Sequence, residues 1–154
     1  SAASDVYKRQ EEKPLAKGEA KAYLAGLQEF LGKIPADDAG RLLLFGEQLY
    51  LMPEHMPATR RLHVLRPGLH LGTVKKNRLE PAHALALAIS PQEACHSWNL
   101  SVDEARAYLA GQTFPAEGEK GWYLITVDGY SLGWGKLAGS VMKNHYPKGL
   151  RKLL

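Results

Sequence analysis

The chain has 154 residues, of which 45% are hydrophobic and 23% charged, and its formal net charge is +4. This length allows one ordinary domain or two small ones, and the apolar content excludes a chain that is disordered throughout. No apolar run approaches the roughly 18 residues of a membrane-spanning helix, so we expect no membrane partner. The one cysteine, Cys95, excludes an internal disulfide framework and favours a cytoplasmic location.

The first 35 residues offer little that could form a core. Residues 1–18 are polar, and residues 4–10 resemble a translated sequencing adapter, so we expect this chain to be a fragment of a longer polypeptide. Residues 19–33 carry apolar side chains at helical spacing, with Gly32 as the predicted stop. We therefore assign residues 1–35 to a disordered start and a linker helix.

Residues 36–93 read as a first β-rich unit. Runs at 41–45 and 48–52 predict a hairpin around Gly46, and Pro53 and Pro57 bound a loop. Runs at 62–66 and 69–74 predict two further strands, joined by a turn at Pro67 and Gly68. A basic loop at 75–78 follows, and Pro81 is placed to begin a short helix that ends at Ile89.

Residues 97–154 read as a second unit. Ser101 and Glu104 have the spacing of a capping box, which predicts a helix to about Ala110 with Gly111 as its stop. After a polar loop at 115–121, apolar runs flank Asp128-Gly129, a pair that favours a tight hairpin turn. The order predicts an α+β fold of two small β-rich units with short helices, and lacks the strand–helix alternation of a doubly wound sheet.

The positive charge is concentrated in two blocks. Residues 60–80 carry six basic and one acidic side chain, and residues 136–154 carry five basic side chains and no acid. Elsewhere acids outnumber bases, by nine to seven in 1–59 and by six to two in 81–135. If the blocks meet in the fold they form one basic face, as expected for nucleic-acid binding; a solvated basic terminus is the alternative.

The residues that could form a metal site, a nucleophilic pair or a nucleotide loop have simpler structural interpretations. The six histidines (55, 63, 70, 83, 96 and 145) form no metal-binding pair, so we favour packed or surface imidazoles. Cys95-His96 lacks a third group that would orient a nucleophilic pair. The run from Gly133 to Gly139 is not a nucleotide loop, because it lies on the return strand of the hairpin; its glycines favour close backbone approach or a bulge.

Aromatic side chains alternate on the closing hairpin, at Trp122, Tyr123, Tyr130 and Trp134. We expect most of them to face the core. Because aromatic faces and amides can also hold unstacked bases, their presence near lysines indicates RNA.

Three motifs resemble the C-terminal region of RsmF-type RNA cytosine-C5 methyltransferases of the Sun family. The first is Arg66-Pro-Gly-Leu-His-Leu-Gly-Thr-Val-Lys-Lys-Asn-Arg-Leu-Glu-Pro, which is similar to their first C-terminal domain. Leu100-Ser-x-x-Glu-Ala-x-x-Tyr-Leu-x-Gly resembles the entry to their PUA-like RNA-binding domain. The third motif has two parts, which resemble the closing hairpin and the tail of that domain. They are Gly129-Tyr-x-Leu-Gly-Trp-Gly-Lys and Lys143-Asn-His-Tyr-Pro-Lys-Gly-Leu-Arg.

The resemblance implies a parent enzyme that methylates structured RNA, ribosomal RNA or transfer RNA, with S-adenosylmethionine. The catalytic cysteines and the cofactor domain of that family precede the matched region, so it implies an upstream methyltransferase domain in cis. No catalytic role, metal or cofactor is carried onto this chain. Its implied RNA-binding residues are Arg66, Lys75, Lys76, Arg78, Lys136, Lys143, Asn144, His145, Tyr146, Lys148 and Arg151.

Two other functions stay open at this point. The chain could be a free-standing PUA-like RNA-binding protein without a methylase, which the reading frame upstream would decide. It could also be a small independent enzyme that uses Cys95-His96 or a histidine-bound metal.

Overall fold

A computed structural model describes residues 13–15, 17–32, 42–52, 68–76 and 78–152. The chain divides into two compact units, one of residues 1–26 and 35–82 and the other of residues 27–34 and 83–154. Each unit contains a five-stranded sheet. The predicted α+β class with two β-rich units and short helices is confirmed.

The first unit is an antiparallel sheet whose spatial order follows the chain. Its strands are β1 (Lys13–Pro14), β2 (Leu42–Phe45), β3 (Gln48–Leu51), β4 (Leu69–Lys75) and β5 (Arg78–Pro81), and helix α1 spans Lys17–Leu27. Leu42, Leu49 and Leu71 are buried in this unit. The predicted hairpin around Gly46 and the strand at 69–74 are confirmed. The predicted strand at 62–66, the loop between Pro53 and Pro57, and Pro67 lie outside the described residues.

The predicted disorder of residues 1–18 is wrong for the described part of that range, because Lys13–Pro14 pairs with β2 and α1 begins at Lys17. The first helix also ends earlier than predicted. It stops at Leu27 rather than at Lys33, and the carbonyl of Leu27 accepts hydrogen bonds from the backbone N–H groups of both Phe30 (3.1 Å) and Leu31 (2.8 Å). Phe30 is fully buried, and Leu31 forms an antiparallel bridge with Ala94. Tertiary pairing therefore overrides the helical pattern beyond Leu27.

Pro81 closes a strand, and the prediction that it opens a helix was wrong. It is the last residue of β5, an edge strand, opposite Gly72 of β4. Proline is tolerated there because an edge strand has one side with no hydrogen-bonding neighbour. The predicted basic loop at 75–78 is the tight connection of this hairpin, since Lys75 pairs with Arg78. The following helix, α2, spans His83–Ala88.

The second unit has a mixed sheet in the order β6-β8-β9-β10-β7. These strands are β6 (Ser97–Leu100), β7 (Phe114–Pro115), β8 (Gly121–Val127), β9 (Tyr130–Ala138) and β10 (Val141–Asn144), and helix α3 spans Val102–Leu109. β6 pairs with β8 in parallel, and the other pairs are antiparallel. One core contains Tyr108 of α3, Tyr123 and Ile125 of β8, Leu137 of β9 and Met142 of β10.

Local signals in this unit are confirmed. Asp128 and Gly129 both have positive φ, 50° and 80°, as a primed hairpin turn requires. Ser101 accepts from the Glu104 N–H (3.2 Å) while Glu104 accepts from the Ser101 N–H (3.0 Å), and Gly111 follows the helix with a φ of 96°. Strands β6, β7 and β10 were not predicted. None of the described helices is long and apolar enough to cross a membrane.

Candidate nucleic-acid interface

A row of three side chains crosses the sheet of the second unit. Trp122 of β8 pairs with Lys136 of β9, and Lys136 pairs with Lys143 of β10. Directly opposite residues in an antiparallel sheet project on the same side, with Cβ atoms about 5 Å apart. Tyr123, Leu137 and Met142 point into the core with α3, so this row lies on the opposite face, because side chains alternate along a strand.

The row is cationic and has no acidic partner in the part of the chain that the structure describes. No described carboxylate lies within ion-pairing distance of Lys136 or Lys143. The Lys136 ammonium instead lies 5.0 Å from the centre of the Trp122 ring, a cation–π contact. Lys143 is exposed. Such a row attracts anions.

His145 and Lys148 extend the basic region of the second unit. His145 is exposed, and its ring centre lies 4.6 Å from that of Trp122 in an edge-on arrangement. Its backbone N–H donates to the Trp134 carbonyl (3.1 Å). Lys148 is exposed in a short 3₁₀ turn, Lys148–Leu150.

Asn144 has a structural role that the sequence did not indicate. Its side-chain amide donates to the carbonyls of Tyr108 (2.8 Å) and Gln112 (2.9 Å), at the end of α3. Its Oδ1 accepts from the backbone N–H of Tyr146 (2.9 Å). Asn144 therefore ties the end of the helix to β10, and both of its amide protons are used within the protein.

Tyr146 and Arg151 also pack within the second unit. The Tyr146 ring lies edge-on to Tyr108 (5.6 Å) and to His83 (5.3 Å), and it is half-buried. Arg151 donates through Nε to the Tyr146 carbonyl (3.2 Å) and lies beside Gly111. An RNA-binding role of Asn144, Tyr146 or Arg151 stays an untested prediction, and the hydrogen bonds of Asn144 favour a structural role for that residue.

The basic residues of the first unit lie at the end of a hairpin. Lys75 ends β4, Lys76 is in the turn, and both are exposed. Arg78 begins β5 and forms an ion pair with Glu80 (3.1 Å). Arg66 lies outside the described residues.

Most aromatic rings of the closing hairpin are buried, as expected. Trp122 is 4% exposed and Trp134 is 1% exposed, whereas Tyr130, next to the hairpin turn, is 76% exposed. The tryptophans therefore support the sheet and present no open face to a base.

The glycine-rich stretch of β9 allows close packing. A Cβ on Gly133 would lie 2.5 Å from the Tyr108 hydroxyl, and one on Gly135 would lie 2.9 Å from the Met142 sulfur. The prediction of close approach is confirmed. These residues do not fit a cofactor phosphate, because they lie inside a strand and their space is filled by protein.

Burial shifts the pKa of three side chains. It raises the pKa of Tyr108, whose hydroxyl donates to the Trp134 carbonyl (2.8 Å), and that of Tyr123, which donates to the Glu119 carbonyl (2.7 Å). It lowers the pKa of His83, whose buried Nδ1 has no hydrogen-bond partner among the described residues.

Cys95 and His96 do not form a nucleophilic pair with a shared orienting group. Cys95 is exposed, while the His96 ring stacks on Tyr123 (4.9 Å) and its Nε2 lies 3.6 Å from Glu119. Within the described ranges, no three His, Cys, Asp or Glu side chains come together as metal ligands.

Two family models match the chain, and the first of them includes residues 27–34 and 83–89, which belong to the second compact unit. Residues 27–89 match the family model of the RsmF rRNA methyltransferase first C-terminal domain, and residues 95–152 match that of the methyltransferase RsmF PUA domain. The chain belongs to the RsmF methyltransferase family. The resemblance seen in the sequence is thereby confirmed, and the mixed sheet with α3 is the PUA domain of this RsmF-family chain.

Curated relatives are about three times as long. The chain is 25% identical over 153 residues to the ribosomal RNA small subunit methyltransferase F of Vibrio atlanticus, covering 95% of the chain and 32% of the relative. It is 27% identical over 140 residues to the Aeromonas hydrophila protein of the same name, covering 89% of the chain and 29% of the relative. The chain thus spans about a third of the length of the curated relatives that it matches.

Proposed function

We propose that this chain is the RNA-binding C-terminal part of an S-adenosylmethionine-dependent RNA cytosine-C5 methyltransferase. In this proposal it holds structured RNA, with ribosomal RNA the favoured class, while a methyltransferase domain upstream in cis carries out the chemistry. The observation that carries the proposal is that both RsmF C-terminal family models match, in chain order, with a cationic row on the sheet of the PUA domain.

The charge and packing of the second unit support binding to RNA phosphates. The exposed lysines of the second unit lack described acidic partners, and long cations bind phosphate without strict geometry. We assign S-adenosylmethionine to the upstream domain, because the glycine-rich stretch of β9 is packed by protein and the named relatives are methyltransferases.

The domain division at 36–93 and 97–154 stays part of the proposal. The matched ranges, 27–89 and 95–152, support a boundary between residues 89 and 97, whereas the compact units divide between Ala82 and His83.

The test measures binding of the full chain to a structured fragment of small-subunit ribosomal RNA by fluorescence anisotropy. We expect binding that weakens with salt, and weaker binding for Lys143→Glu and for Lys75→Glu combined with Lys76→Glu. Unchanged affinity in both variants would refute the proposed role of these lysines in RNA binding. Methyl transfer by this chain alone would refute the assignment of the chemistry to an upstream domain.

The genomic sequence upstream of Ala16 distinguishes the enzyme fragment from the alternative, a free-standing PUA protein. An in-frame cofactor domain there supports the enzyme fragment, whereas a start codon without such a domain supports the free-standing protein.

A further inference from the structure

The pairing of Lys136 with Lys143 is unfavourable for folding. Like charges directly opposite each other on neighbouring strands destabilise a sheet. No described carboxylate lies within ion-pairing distance of either ammonium to offset this repulsion. An anion bound between the two side chains would offset it.

Trp122 acts on only one of the two lysines. It lies across from Lys136 on β8, on the side away from Lys143 on β10. The cation–π contact at 5.0 Å draws the Lys136 ammonium towards β8, in the same direction as its repulsion from Lys143. Both effects favour a separation of the two charges, and the oxygens of one phosphate bound between the side chains would interact with both ammonium groups.

We propose that Lys136 and Lys143 form a subsite for a single backbone phosphate of RNA, and that Trp122 is the positioning residue for the Lys136 ammonium. This inference rests on the RNA binding proposed above and deepens it by naming the contact. Both ammonium groups donate to phosphate oxygens, and Trp122 does not touch the RNA.

The subsite recognises phosphate rather than bases. The rings of Trp122 and Trp134, on this side of the sheet, are almost fully buried and cannot stack on a base. The exposed ring of the hairpin, Tyr130, lies next to the turn at the opposite end of β9 from Lys136. Binding through the subsite is therefore insensitive to RNA sequence.

The experiment compares charge-removing variants of the full chain in binding a short RNA duplex across a range of salt concentrations. Lys136→Gln and Lys143→Gln should each lower affinity roughly five- to tenfold, and each should make the salt slope shallower by about 1. Arg106→Gln is the matched control, because Arg106 is an exposed cation on α3, across the sheet from the row. It should leave affinity within about twofold.

The positioning role of Trp122 is tested by asking whether the effect of Trp122→Leu on affinity requires Lys136. Trp122→Leu should lower affinity about threefold when Lys136 is present and should have no effect in the Lys136→Gln background. If Trp122→Leu does not fold, NMR of the unsubstituted chain replaces it. The ε-methylene protons of Lys136, shifted upfield by the Trp122 ring, should then move on duplex addition, while the δ-methylene protons of the control residue Arg106 stay unchanged.

The outcomes separate the two proposals. Duplex binding by the unsubstituted chain that neither lysine variant alters would overturn the subsite and leave the RNA-binding function standing. An equal effect of Trp122→Leu in both backgrounds, or unmoved Lys136 signals, would overturn the positioning role. A chain that binds neither the duplex nor ribosomal RNA would overturn both proposals.

Discussion

Replacing Asn144 with alanine should destabilise the second unit without removing an RNA contact. The side chain makes three hydrogen bonds to backbone groups, with Tyr108, Gln112 and Tyr146, at 2.8–2.9 Å. One joins β10 to Tyr108 in the last turn of α3, whose carbonyl also accepts from the Gly111 N–H (2.9 Å), and one joins it to Gln112 in the segment after the helix. At about 1 kcal/mol for each bond, and with one bond at an exposed position, Asn144→Ala should lower the free energy of unfolding by about 2 kcal/mol.

The assay is urea unfolding of the full chain followed by tryptophan fluorescence. Lys148→Ala is the control, because Lys148 is exposed in the 3₁₀ turn after β10 and its removal should change stability by less than about 0.5 kcal/mol. RNA affinity of Asn144→Ala, measured where the variant is folded, should stay within about twofold. A loss below about 0.5 kcal/mol, or a tenfold loss of affinity at unchanged stability, would refute this reasoning.

Three further predictions concern the same unit. Gly133→Ala should lower the free energy of unfolding in urea by about 1–3 kcal/mol, because its Cβ would lie 2.5 Å from the Tyr108 hydroxyl. Gly135→Ala should lower it less, because its Cβ would meet the flexible side chain of Met142. The reverse order would contradict the close packing inferred for Gly133. Ser101→Ala should lower the free energy of unfolding by about 1 kcal/mol, and an unchanged value would contradict the cap. The pKa of Glu104 should rise only in part, because it is lowered first by the Ser101 backbone N–H, which the variant keeps, and second by the Ser101 side chain, which the variant loses. Burial raises the pKa of Tyr108 above its value in the unfolded chain, so its stabilising contribution is complete below about pH 10 and is lost as the pH rises further. Tyr108→Phe should therefore flatten the decline in the free energy of unfolding at alkaline pH. An unchanged decline would contradict the role of Tyr108 in this pH dependence.

Features that depend on neighbouring residues could be predicted from the sequence. The Asp128-Gly129 turn and the Ser101 cap are specified within four residues, so composition and spacing were sufficient. The family resemblance also came from motifs that are contiguous or nearly so. The end of α1 and the role of Pro81 were missed because both depend on which strand or segment lies alongside.

The candidate site depended on strand register, which the sequence does not display. The sequence identified Lys136 and Lys143 as basic, but their pairing follows from a strand, β10, whose four residues carry a weak pattern. The support of Trp122 for Lys136 likewise requires the register of β8 and β9. The sequence Val-Met-Lys-Asn of β10 shows no alternation of apolar and polar residues, so the sequence carried no periodic signal for this strand.

The most direct test of the account is to locate RNA on the chain by amide chemical-shift mapping. The full chain, isotopically labelled, is titrated with a structured fragment of small-subunit ribosomal RNA. The account predicts that the largest shifts in the second unit fall on Lys136, Lys143 and His145. Shifts confined to α3, on the other side of the sheet, or no shifts at all, would contradict it.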